Sequence, residues 1–333
     1  MLIKIIKKAL LLGAVVILLF STWFSLEFYL PPKSSPKKVV FEIERGKKPE
    51  SITQSLKENG IIRKKLPFLL AYKLFFSHKS LKAGEYEFLL PASSKEVLNT
   101  IIEGKVYLHP LTIPEGLTRK DIALHLESLD FINEQDILEA SLETGQISSW
   151  DKKASTLEGY LYPETYHFPK GTPAKKIIST LVSQFKAVFN EKWRNRASEI
   201  RLTIREVVIL ASMIEKETSI PEEKNLVSAV FHNRLNRGMK LDCDPTIIYA
   251  LKQEGQFKGR LRTRDLNLDS PYNTYLYEGL PQGPICSPGK ASLEAALSPA
   301  STDYLYFVSK NDGTHYFSHT FKEHLAAKRR YQK

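Results

Sequence analysis

The first clear signal in the hydrophobic pattern is an unbroken apolar run. From Ala9 to Leu26 the chain reads ALLLGAVVILLFSTWFSL without a charge, and Glu27 is followed by Phe28, Tyr29 and Leu30 before Pro31-Pro32. About 18–22 helical residues at about 1.5 Å each cross a hydrocarbon core of about 30 Å, so the run predicts a transmembrane helix over 9–30. Lys4, Lys7 and Lys8 precede it, which predicts a cytoplasmic N-terminus (1–8) and places the bulk of the chain on the other side of the membrane. A cleaved signal peptide would carry a shorter apolar core ending at small residues, whereas this run ends in bulky ones. Trp23 and Tyr29 fall where an outer interface would lie, and 31–37 reads as a polar spacer.

Beyond the spacer the period changes. A repeat with an offset of 70 relates Ile43, Gly46, Ile52 and Leu56 to Ile113, Gly116, Ile122 and Leu126, and Ile61-Ile62 to Phe131-Ile132. Each copy reads as a short alternating strand, a Gly turn and an amphipathic helix with Ile and Leu four apart. With a strand at 86–90 and a helix from Ser94, the first copy predicts a small α+β module over 38–108. The second, at about 109–145, opens a larger α+β domain over 109–333. In that domain TIREVVILASMIEKET carries the strongest helical pattern: Thr203 and Glu206 form a capping box, and Ile204, Val207, Val208, Ala211 and Ile214 share a face. A second helix opens at Pro221 and stops at Gly238. The segments 241–251 and 270–289 read as loops dense in Pro, Gly, Asn and Tyr, followed by a helix at 291–297. Residues 303–321 read as a hairpin around Asn311-Asp312-Gly313. Long loops of this composition suit a polar, extended ligand.

Composition narrows the classes. The 333 residues are 42% hydrophobic, 26% charged and 11% aromatic, which excludes a disordered acidic chain, and two cysteines exclude a disulfide scaffold or a cysteine-built zinc module. Of the net charge of +11, +5 lies within the first 38 residues, and no Arg-rich stripe or nucleic-acid motif accompanies the rest. Nucleic acid is therefore not an expected partner.

The candidate chemistry centres on the helix of 203–218. Glu215 borders its apolar stripe, and a carboxyl at such a margin is partly desolvated, which suits a general acid. Pairing with Lys216 or a nearby Arg on a solvated face is the alternative. Glu217 lies two residues round, on the side expected to be wetter, and is the secondary catalytic candidate. His315, His319 and His324 do not form a metal-binding pattern, no metal or other cofactor is expected, and GxSxG, Walker and GxGxxG motifs are absent from the sequence. Cys243 and Cys286 can form a disulfide outside the cytoplasm or remain inert thiols.

The ordered segments LEGYLYPETYHFPKG (157–171), ASMIEKET (211–218), VFHNRLNRGMKLDCDPTIIYAL (230–251), SPYNTYLYEGLPQGPICSPG (270–289) and THYFSHTFKEH (314–324) resemble the endolytic murein transglycosylases of the MltG/YceG type. Gln282 and Ser287 depart from the usual loop, where Pro and Asn are common. The resemblance covers nearly the whole chain and implies a bacterial inner-membrane, single-pass enzyme with a LysM-like module over 38–108. Its catalytic domain would lie outside the cytoplasm. It implies cleavage of the β-1,4 bond between N-acetylmuramic acid and N-acetylglucosamine in peptidoglycan strands, leaving 1,6-anhydro ends and terminating nascent strands, with peptidoglycan synthases or the division machinery as candidate partners. Matching ASMIEKET onto the family motif selects Glu215 as the catalytic residue. Tyr160, Tyr166, Asn233, Asp244, Thr246, Tyr272 and Asn273 are then expected to line the glycan groove, because aromatic faces stack on sugars while amides, hydroxyls and carboxylates bond their polar groups. A non-catalytic cell-wall tether and a hydrolytic muramidase are the competing readings.

Overall fold

The computed structural model describes residues 1–33 and 35–332. It begins with α1 (Leu2–Tyr29), among the described residues the one helix long and apolar enough to cross a membrane, whose apolar side chains are largely exposed. The chain then divides into two compact units, 1–109 with 167–170 and 110–166 with 171–333.

In the first unit, β1 (Lys37–Ile43) leads to α2 (Pro49–Glu58) and α3 (Lys65–Phe75), and β2 (Gly84–Leu90) precedes α4 (Ser94–Glu103). β1 and β2 pair antiparallel with Phe41 opposite Tyr86. The alternation anticipated for β1 places Phe41 and Ile43 inward, against Leu56, Phe68, Tyr86, Leu98 and Ile101. Ser93 and Glu96 close a capping box that starts α4. Phe24 and Phe28 from the last turns of α1 join this core.

The second unit begins within β3 (His109–Thr112), which leads to α5 (Arg119–Ser128) and α6 (Glu134–Ala140); β4 (Thr165–Phe168) is divided between the two units after Tyr166, and α7 (Ala174–Val188) and α8 (Glu191–Glu199) follow in the second. The offset of 70 holds in the backbone: α2 and α5 start 70 residues apart and end in the same turn, with Ile61 N–H on Leu56 O and Phe131 N–H on Leu126 O. At that turn Gly60 and Asp130 both take positive φ, 68° and 51°. The remaining elements are α9 (Ile204–Glu217), α10 (Pro221–Asn236), α11 (Asp244–Gln253), α12 (Lys290–Leu297), the hairpin β5 (Tyr306–Ser309) and β6 (His315–Ser318), and α13 (Phe321–Tyr331).

α9 is the axis of this unit, with α8, α10, α11 and α12 packed around it. Its capping box of Thr203 and Glu206 is present, but the burial is broader than one stripe: every residue from Val207 to Ile214 is buried. A helix that is apolar on all sides belongs inside a core. The loop reading of 241–251 is corrected. Asp244 opens α11, because a proline in the first turn lacks only an N–H that has no helical partner there and its φ is already helical. The 270–289 segment carries no helix or strand, as anticipated. Gly159 shows how tightly it is packed: at φ 82°, a Cβ there would lie 2.5 Å from Pro284 and 2.8 Å from Val208 of α9.

Candidate active site

Both glutamates of the EKE sequence lie in the last turn of α9, where the helix dipole is unfavourable to a carboxylate. Two residues along a helix turn a side chain by about 200°, so they enter opposite surroundings.

Glu215 faces α10 and α12. Its side chain is 8% exposed and forms an ion pair with Lys224, itself 4% exposed, at 3.1 and 3.2 Å. The same carboxylate accepts the Gly289 N–H at 3.0 Å and the Ser292 hydroxyl at 2.6 Å, while Ser292 accepts a further bond from Lys224 at 2.8 Å. Gly289 is the N-cap of α12, so Glu215 supplies the acceptor that this helix start requires. Its partner is neither Lys216 nor an arginine, and the pair is not solvated: α10 folds back and brings Lys224 onto it. Glu115 approaches the same place. Its carboxyl is raised above the ordinary range, first by burial and then by the charge of Glu215, and a Cβ on Gly289 would meet it at 1.9 Å.

Glu217 faces the other way and is half-buried, not on a wet face. Burial pushes its carboxyl up to about 7, opposed by a hydrogen bond from the Cys243 thiol and assisted by the charge of Asp244. It borders a cleft of about 410 Å³ whose walls include Asp244, Tyr275, Arg234, Tyr306 and His315. Asp244 accepts the Tyr275 hydroxyl. Arg234 lies over the Tyr306 ring at 5.0 Å, is ion-paired with Asp242 at 2.8 Å and donates to Leu305 O at 2.7 Å. Aromatic faces, fixed donors and carboxylates in one cleft can hold a polyhydroxylated ligand, and a carboxyl with raised proton affinity can supply a proton to it.

Of the residues expected to line a groove, Asp244 shares this cleft with Glu217. Tyr160 is fully buried, donating to Asp151 at 2.8 Å and packing edge-on to Phe185, and Tyr166 is buried with its hydroxyl on Tyr162 O at 2.7 Å. Thr246 is buried against Thr274 at 3.0 Å, and Asn273 is buried and organises the loop through Leu266 O, Leu268 O and the N–H groups of Tyr275 and Leu276. Asn233 spends its amide on Thr302 O and Tyr304 O, at 2.8 and 2.9 Å, which ties α10 to the segment before β5. Tyr272 is half-buried against Tyr249, whose hydroxyl bonds Glu158. These six are engaged in packing or in hydrogen bonds within the protein, Asn233 and Tyr272 from half-buried positions. Residues in polar motifs reach either a ligand or their own backbone, and long loops claim them first. Glu158, not singled out in the sequence, is the matching buried acid of the scaffold: burial raises it to about 7, and it accepts the Arg119 N–H and the Tyr249 hydroxyl.

The hairpin histidines are engaged by carboxylates, His315 with Glu223 and His319 with Asp303, both at 2.7 Å. Cys243 and Cys286 are both free and buried, which settles the disulfide alternative in favour of thiols. Tyr275, Arg234 and Tyr306 were not anticipated. The first two adjoin residues that were, Arg234 beside Asn233 and Tyr275 two after Asn273.

Comparisons with known proteins agree with the resemblance. The YceG-like family matches residues 41–330. An endolytic murein transglycosylase of Bacillus subtilis (strain 168) is 31% identical, over 90% of this chain and 86% of its own. A protein of the same name from Streptococcus pneumoniae (serotype 2, strain D39) is 30% identical over 92% of this chain, which spans 60% of the pneumococcal protein. A crystal structure of a yceG-like protein from Listeria monocytogenes has a TM-score of 0.60 and 33% identity, covering 87% of this chain and 98% of that one.

Proposed function

The chain belongs to the YceG-like family, and from that premise we propose that it is a membrane-anchored lytic transglycosylase of peptidoglycan whose proton donor and acceptor is Glu217. The observation that carries the assignment is the split between the two carboxylates. Glu215 is held by an ammonium, a helix N-terminus and a hydroxyl. Glu217 holds its proton up to about pH 7 beside an aromatic, polar cleft.

In the forward step the Glu217 carboxylic acid gives its proton to the glycosidic oxygen as the bond from the muramyl C1 breaks. The resulting carboxylate then takes the proton of the C6 hydroxyl as that oxygen closes on C1. A 1,6-anhydro ring forms, no water is consumed, and Glu217 returns to its protonated state. Attack from within the same sugar supplies the proximity that a hydrolase obtains by activating water. Asp244 in the same cleft supports one competing reading, a muramidase with two carboxylates.

α1, with lysines ahead of it, supports anchoring in the bacterial inner membrane with the N-terminus cytoplasmic. A tethered enzyme meets strands near the membrane, which supports a role in ending nascent strand elongation. The test is mass spectrometry of purified peptidoglycan digested by the full chain in ¹⁸O-water. Unlabelled anhydro-muramyl ends are expected, and label at C1 of new ends would establish hydrolysis instead.

A further inference from the structure

Besides α1, α3 is a helix of the first unit that leaves large apolar side chains exposed. KLPFLLAYKLF is apolar on both faces: Pro67, Phe68, Ala71 and Tyr72 are buried in the core, whereas Leu66, Leu70 and Leu74, four apart, form a second row pointing away from it. Leu66 is 53% exposed and Leu74 is 69% exposed, with Phe75 at the helix end 61% exposed. Lys65 and Lys73 border this outer row, Lys73 paired with Glu50 at 2.8 Å, and an exposed apolar row edged by basic side chains suits a membrane interface.

Its surroundings point the same way. The start of α3 is fastened to the last turns of α1: Glu27, buried at 8%, forms ion pairs with Arg63 at 3.4 Å and Lys64 at 3.1 Å. The Lys64 ammonium also lies over the Trp23 ring at 5.7 Å, and Lys95 lies over Tyr29 at 5.1 Å. Tryptophan and tyrosine at the end of an apolar helix occupy the headgroup level of a bilayer, so the start of α3 is held at that level. Arg63, Lys64 and Lys65 outnumber Glu27 at this point, which leaves a net positive charge beside the leucine row. A cationic rim with an apolar face is the pattern of a helix lying in the membrane interface.

We propose that α3 is a second membrane contact, lying along the outer headgroup layer with Leu66, Leu70 and Leu74 inserted and its flanking basic side chains on anionic lipid. This rests on the reading of α1 as a membrane anchor. With α1 already packed into the core of the first unit, the second contact fixes the rotation of that unit about the α1 axis against the bilayer surface.

The test uses the full chain reconstituted in vesicles containing phosphatidylglycerol, with an environment-sensitive fluorophore on Leu74→Cys or, separately, on Leu18→Cys; the native thiols are buried. Doxyl-labelled lipids are the quenchers within the bilayer and iodide is the aqueous one. The expected result is emission from both labels lowered about twofold or more by doxyl lipid, with Leu74 responding most to shallow doxyl groups, as for a face about 5–10 Å into the headgroup boundary. Quenching of Leu18 alone, with Leu74 open to iodide, overturns the α3 contact and leaves the anchor standing. Quenching of Leu18 with Leu74 shielded from both quenchers also overturns it, and assigns the leucine row to a protein surface such as a second copy. Absence of doxyl quenching at Leu18 defeats the anchor reading itself.

Discussion

The division of labour between Glu215 and Glu217 predicts stability changes of opposite sign. Replacing Glu215 by Gln removes the counter-charge of Lys224, whose side chain is 4% exposed. Leaving a buried ammonium without its partner costs about 3–5 kcal/mol. Replacing Glu217 by Gln does the reverse. Its folded pKa of about 7 lies above the ordinary value of 4.5, so the native state binds a proton that the unfolded chain releases. Stability from this group is complete below about pH 4.5 and falls as pH rises through 7, because the buried carboxylate must then be ionised. At pH 8 the cost amounts to at most about 3 kcal/mol, and an isosteric neutral amide removes it. The assay is calorimetric unfolding of wild type, Glu215→Gln and Glu217→Gln at pH 5 and 8, beside cleavage of purified peptidoglycan below all the melting temperatures. Glu217→Gln should melt higher than wild type at pH 8, with the advantage shrinking towards pH 5, and should lose about 10²–10⁴ in rate. Glu215→Gln should melt lower at both pH values yet retain more than about a tenth of the activity per folded molecule, since it removes no proton donor. A stable but inactive Glu215→Gln beside an active Glu217→Gln would refute the assignment.

Other expectations follow from the same contacts. The rate should fall as pH rises through about 7, since the acid must be protonated, and Asp244→Asn should shift that limb to lower pH by removing a charge that raises Glu217; a pH–rate profile unmoved by the substitution would contradict it. Gly159→Ala should destabilise by about 2 kcal/mol or more, because φ is positive and the new methyl meets Pro284 and Val208, whereas Gly289→Ala should cost less, because φ is −76° and the obstructing Glu115 side chain can swing away. Thermal melts of the two alanine variants give that comparison directly.

The legible parts of the sequence were those governed by local rules. The apolar run, the Thr203–Glu206 box, the proline start of α10 and the Asn-Asp-Gly hairpin turn each depend on residues within a few positions. The parts that local spacing leaves open depend on distant ones. Whether Glu215 or Glu217 is free for chemistry is decided by Lys224 on the next helix and by Gly289 and Ser292 more than 70 residues away. Spacing on α9 alone cannot reveal them. Tyr160 and Asn273 look like ligand residues for a related reason: the hydroxyl and amide chemistry that suits a sugar also suits Asp151 and the carbonyls of Leu266 and Leu268. At 244–245 Asp-Pro has the local signature of a turn, and only the apolar run after it marks the start of α11.

The burial of α9 on all sides has a mechanical consequence. Eight consecutive residues without a solvent-facing side leave this helix no low-energy way to slide or roll, and its amides should exchange only with unfolding of the whole unit. The glutamate proposed as proton donor thus stands at the end of the stiffest beam of the domain. The opposing surfaces ride on lighter parts, Tyr275 on an irregular loop and Tyr306 on a four-residue strand. If glycan strands bind in this cleft as proposed, accommodation to different thickness or substitution falls to those walls, as a jaw adjusts against an anvil.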